Sequence, residues 1–105
     1  MSFKTLAPQG LVQLLDTTPI VALVDVRAAH ELNQGRIAGA VHLPLAQLPW
    51  RLSELSTDRP VVFYCHSGAR SAQACHYAAA QGYGTLYNLE GGIVAWLRMG
   101  LPLTP

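Results

Sequence analysis

Arg59-Pro-Val-Val-Phe-Tyr-Cys-His-Ser-Gly-Ala-Arg-Ser-Ala-Gln-Ala-Cys-His-Tyr-Ala-Ala-Ala-Gln81 decides how this chain folds. The short apolar run Val61 to Tyr64 reads as a buried strand. It stops abruptly at Cys65, where a small, polar, glycine-containing stretch begins. From Ser67 or Arg70 onward the residues are Ala-rich and favour helix. A strand, a tight loop opening with Cys, and a helix can hold a reactive sulfur among backbone N–H groups.

The flanking sequence repeats the same alternation. Lys4 to Leu6 reads as a short strand or an extended lead-in. Pro8 suits a first helical position, and Leu11, Val12, Leu14 and Leu15 follow at helical spacing as far as Asp16. After the break at Thr17-Thr18-Pro19, Ile20 to Val24 is a β-branched-rich run expected to be a buried parallel strand. Ala28 to Gln34 reads as a short helix stopped by Gly35. Gly39 to Pro44 is a short strand, Leu45 to Leu55 a helical stretch interrupted or started near Pro49, and Thr85 to Leu89 a last strand. Gly91-Gly92 opens a final helix, Ile93 to Arg98, and Gly82 or Gly84 ends the long one.

Strands alternating with helices imply an α/β fold in three layers, a mostly parallel sheet of about five strands covered on both faces. Ligands of such sheets gather outside the carboxyl ends of the strands. Asp25, His42, Cys65 and Glu90 all fall at or just past expected strand ends, so they should share one edge.

With 105 residues, half of them hydrophobic, the chain is expected to form one globular domain over residues 1–105. A formal charge of +1 gives no reason to expect nucleic acid or an anionic membrane as partner. No apolar run reaches transmembrane length, and residues 1–8 lack the apolar core of a signal peptide. The expected location is therefore the cytoplasm, where thiols stay reduced. The two cysteines, ten positions apart, match neither a disulfide framework nor a common zinc pattern.

If the loop of Cys65, His66, Ser67, Gly68, Ala69 and Arg70 curls with its N–H groups inward, those dipoles and the following helix create positive potential at the sulfur. A free thiol titrates near about 8.5, and such surroundings lower that by one to several units. Cys65 would then be a thiolate nucleophile. Gly68 allows a sharp turn, while Ser67 and Ala69 leave the mouth open. Arg70 offers a planar fork for a sulfonate or phosphate, and His66 is a second cation at the rim. The competing reading is an inert, buried cysteine.

Taken together, the motifs resemble the rhodanese (thiosulfate sulfurtransferase) domains. The match runs through Leu23-Val24-Asp25-Val26-Arg27, Glu31, and Gly35-Arg36-Ile37-Ala38-Gly39-Ala40-Val41-His42-Leu43-Pro44. It continues through Cys65-His66-Ser67-Gly68-Ala69-Arg70-Ser71 and Leu89-Glu90-Gly91-Gly92-Ile93-Val94-Ala95-Trp96. Arg36 stands where the family commonly has His, and His42 where it commonly has Asn. The resemblance implies a two-step sulfur transfer through a persulfide on Cys65, with residues His66 to Ser71 binding the substrate. A small anionic donor such as thiosulfate would supply the sulfur, and cyanide or a thiol would accept it, with no metal or organic cofactor. A carrier exchanging persulfide with a sulfur-relay protein is the alternative. Phosphatases of related fold have a longer loop between Cys and Arg; the four residues His66 to Ala69 make a smaller ring that suits sulfur. Arg70 at the loop's end points to thiosulfate or another anionic or protein-borne donor.

The supporting candidates are Asp25, Arg27, Arg36 and His42. Asp25 would cap the next turn, and Arg27 would pair with Glu31 at i,i+4 if the helix has begun. Cys75 is expected to be a small core residue, since a resolving thiol must bring its Cα within about 7 Å of that of Cys65. Trp96 is expected in the core, as is Trp50, although an exposed Trp50-Arg51 pair would mark a docking face.

Overall fold

The computed structural model describes residues 3–105. Met1 and Ser2, which head the stretch read as lacking a signal, lie outside the described residues. In chain order the elements are β1 (Lys4–Leu6), α1 (Pro8–Thr17), β2 (Ala22–Asp25), a 3-10 turn (Ala29–Gln34) and β3 (Val41–His42). After them come α2 (Leu48–Arg51), flanked by 3-10 turns, then β4 (Val61–Tyr64), α3 (Ala69–Ala80), β5 (Leu86–Leu89) and α4 (Gly92–Arg98). The strands form one sheet in the order β1-β5-β4-β2-β3, and every pairing is parallel.

Residue alternation along the strands separates two cores. Val24, Val61, Phe63 and Leu86 point to the side covered by α2 and α3, where they meet Leu48, Leu52, Ala74, Cys75 and Ala78. Leu23, Val62, Tyr64 and Leu89 point to the other side, against Leu11 of α1 and Ile93 and Trp96 of α4. This is the three-layer α/β arrangement expected from the chain. β4 is buried on both faces along its whole length, as befits a central strand without polar alternation.

Local departures have local causes. Ile20 is not in β2: the bond from Val21 N–H to Thr18 O (3.1 Å) closes a turn over Pro19 and leaves Ile20 exposed. β3 keeps only Val41 and His42 of the stretch ending at Pro44. Leu45 to Glu54 is broken into 3-10, α and 3-10 pieces, with Pro49 in the first turn of the α segment, where its missing N–H costs nothing. Trp50 is 69 % exposed, which overturns its expected place in the core. The core positions of this segment are taken instead by Leu48, Leu52 and Leu55. Among the described residues no helix is long and apolar enough to cross a membrane.

Candidate active site

β4 carries the chain straight to the carboxyl edge of the sheet and delivers Cys65 there. The turn into α3 is made at Gly68, whose φ of +105° lies in the left-handed region that an L side chain rarely adopts. The turn brings Gly68 N–H to 3.1 Å from Cys65 Sγ. The N–H groups of Ser67 and Ser71 also face the sulfur, and Ser71 Oγ lies 3.5 Å from it. Burial raises the thiol's pKa. The hydrogen bonds from Ser71, Gly68 and Ser67 outweigh that burial and leave it below the value of an ordinary cysteine.

The carbonyls of the same loop face the other way. Cys65 O accepts from Ile93 N–H (3.0 Å) and His66 O from Val94 N–H (3.1 Å), both in the first turn of α4. α4 therefore holds the loop by its acceptors and leaves its donors for the sulfur. His66, Ser67 and Ala69 are exposed at the mouth.

Arg70 does not stand free. Its Nη1 and Nη2 donate to the two carboxylate oxygens of Glu31 at 2.6 and 2.9 Å. Glu31 also accepts from Ala28 N–H (3.0 Å) at the start of its 3-10 turn. The bond to Arg70 is the main cause that lowers the Glu31 carboxyl to a pKa of about 2.

Asp25 and Arg27 lie behind this pair, fully buried. The guanidinium makes a forked contact with Asp25, with Nη2 to Oδ2 at 2.7 Å, while Arg27 N–H donates to Asp25 Oδ1 at 2.9 Å. Arg27 also donates to Glu31 O (3.3 Å) and Gly35 O (2.8 Å), so it braces the backbone of the turn that presents Glu31. The expected side-chain pair of Arg27 with Glu31 is not formed. Ala28 is extended (φ −69°, ψ 156°), so no helix joins the two residues and Glu31 is left to Arg70.

His42 donates from Nε2 to Arg27 O at 2.7 Å, next to the same group. Arg36 is tied elsewhere: its backbone pairs antiparallel with Thr104 in the C-terminal tail. Glu90, exposed, receives its place from a bond between its N–H and Leu6 O (2.7 Å). Cys75 is buried in the α3 core, its thiol donating to Tyr87 O (3.4 Å) and pushed up to about 12 by burial. Both cysteines are free.

One participant escaped the sequence reading. Asn88, 8 % exposed in β5, accepts from Ser71 Oγ at 2.5 Å through Oδ1 and donates to Gly68 O at 3.2 Å through Nδ2. Its signal is a single amide inside the otherwise apolar run that ends at Leu89.

Known proteins resemble this chain along nearly its whole length. The family described as Rhodanese-like domain matches residues 7–99. A protein of Allochromatium vinosum named Sulfurtransferase is 53 % identical over 95 residues, covering 90 % of this chain and 89 % of that protein. Thiosulfate sulfurtransferase GlpE of Shewanella oneidensis is 37 % identical over 95 residues, covering 90 % and 93 %. The crystal structure of a rhodanese-related protein from Thermoplasma volcanium has the same fold, with a TM-score of 0.86 at 27 % identity over 96 % of this chain and 97 % of that one.

Proposed function

The chain belongs to the rhodanese-like domain family and is similar to proteins named sulfurtransferases, and from that membership we propose that it transfers sulfane sulfur through a persulfide on Cys65. The observation that carries the proposal is the ring of N–H donors from Ser67, Gly68 and Ser71 around a sulfur whose pKa is lowered despite burial. In the first step the Cys65 thiolate attacks the outer sulfur of thiosulfate. An Sγ–S bond forms, the S–S bond of the donor breaks, and sulfite leaves with the electron pair. In the second step cyanide or a thiolate attacks the terminal sulfur of the persulfide, and Cys65 leaves as the thiolate with which it began. The same N–H donors that stabilise the starting thiolate serve the anionic persulfide, and no metal or organic cofactor enters either step. Arg70 supplies positive charge at the mouth for the sulfonate oxygens, beside the exposed His66.

A second reading is favoured by one contact. Glu31 already occupies the fork of Arg70, so an anionic donor must share that guanidinium, whereas a persulfide borne by a partner protein need not. In that case the chain is a carrier with little thiosulfate turnover. Incubation with thiosulfate and cyanide separates the readings. The enzyme forms thiocyanate in a reaction reduced to the uncatalysed background by Cys65→Ala, while a carrier shows negligible turnover yet is purified with one extra sulfur atom on Cys65. Thiocyanate formation by Cys65→Ala equal to that of the unaltered protein would overturn Cys65 as the nucleophile.

A further inference from the structure

Ser71 Oγ carries one proton and has two acceptors within reach, Asn88 Oδ1 at 2.5 Å and Cys65 Sγ at 3.5 Å. The orientation of the Asn88 amide is fixed by its other contact. Gly68 O can only accept, so Nδ2 faces it and Oδ1 faces Ser71. Both side chains are buried, Ser71 completely. Water is therefore a poor substitute for either partner.

We propose that Asn88 is a positioning residue for the sulfur chemistry, one that competes with Cys65 for the Ser71 hydroxyl proton and so sets how readily the sulfur becomes anionic. While Cys65 holds its proton, S–H donates to Ser71 Oγ and Ser71 O–H donates to Asn88 Oδ1, and each group is satisfied. When the thiol proton leaves to solvent at the open mouth, the Ser71 hydroxyl turns to donate to Sγ, and Asn88 Oδ1 gives up that donor. Only the S–H bond breaks; the remainder is rotation of one hydroxyl. Forming the anion therefore costs the Ser71–Asn88 bond, the shorter of the two. The tether from Asn88 Nδ2 to Gly68 O persists in both states and keeps Gly68 N–H aimed at the sulfur.

The charged and titratable groups around Sγ come from several elements. α3 brings Arg70, the 3-10 turn Ala29–Gln34 brings Glu31, the loop His66, and the end of β2 with the residues just after it the Asp25–Arg27 pair. β5 contributes the neutral Asn88, while the first N–H groups of α4 are taken by the carbonyls of Cys65 and His66. Substitutions at Asn88 and Ser71 leave all these charges in place.

The inference rests on Cys65 being the reacting group, but its test uses neither sulfur donor nor acceptor. The rate of Cys65 alkylation by iodoacetamide, located by peptide mass spectrometry, is followed against pH for Asn88→Leu, Ser71→Ala and the double variant. Asn88→Leu is expected to lower the apparent pKa of Cys65 by about one unit, a tenfold gain in thiolate below that pKa. The shift should vanish in the Ser71→Ala background. A shift of equal size in both backgrounds, no shift, or a rise overturns the proposal, because Asn88 would then act only through Gly68 or not at all. Asn88→Ala removes the same acceptor without crowding its neighbours and gives the same readout if Leu prevents folding.

Discussion

Arg70 has five N–H donors, and Glu31 takes one from each terminal nitrogen, which leaves three for Cys65 and whatever enters the mouth. The carboxylate thus acts as a brace on the cation. The braced pair also leaves a mark on stability. The pKa of Glu31 is about 2 in the folded protein against 4.5 ordinarily, so its stabilisation is complete above 4.5 and is lost as pH falls from there towards about 2. Side-chain exposures of 35 % for Arg70 and 20 % for Glu31 keep the pair's worth to about 1 kcal/mol. Urea unfolding across that pH range should show Glu31→Gln losing less stability than the unaltered protein by about that amount. Parallel losses would mean that the pair contributes nothing. The buried Asp25–Arg27 pair behaves differently, since removing one partner leaves a charge without water or counterion.

Among the elements, α4 is the one whose placement the site depends on most. Its first turn donates to the carbonyls of Cys65 and His66, and this requires Gly92 to pack directly on the loop backbone. A Cβ on Gly92 would sit 2.6 Å from His66 O and nearer still to Cys65 O, at a φ of +54°. Gly92→Ala should therefore lower unfolding stability by about 3 kcal/mol or more and slow alkylation of Cys65, because loop and helix cannot both keep their places. A variant with the original midpoint and reactivity would show that the loop stands without α4. Gly91-Gly92 was legible in the sequence as the start of a helix, yet the loop it grips is not a neighbour in the chain. The β4–loop–α3 unit was legible because strand period, glycine turn and alanine-rich helix agree over one contiguous stretch. Arg27 was misread because pairing at i,i+4 presupposes a helix, and Ala28 is extended. Trp50 was misread because a four-residue helix offers too little periodicity to say which side faces inward.

For the molecule as a whole, five parallel strands bring the carboxyl ends of β2, β3, β4 and β5 to one edge. Asp25, His42, Cys65 and Asn88 come from well-separated parts of the chain and meet there only through that topology. Two cores, one on each face, fix the strands from both sides, so the loop can spend its N–H groups on sulfur instead of on its own folding. Asn88 was hidden from sequence reasoning for this reason: its partners Ser71 and Gly68 lie across a strand pairing. The exposed Trp50 lies beside Arg51, whose guanidinium approaches His42 O (3.5 Å) at the same edge. The central claim, that Cys65 carries the transferred sulfur, is tested most directly by peptide mass spectrometry after incubation with thiosulfate. The expected result is a gain of one sulfur atom on the peptide containing Cys65, lost again on addition of cyanide. No gain on that peptide, or a gain on the one containing Cys75 instead, would contradict it.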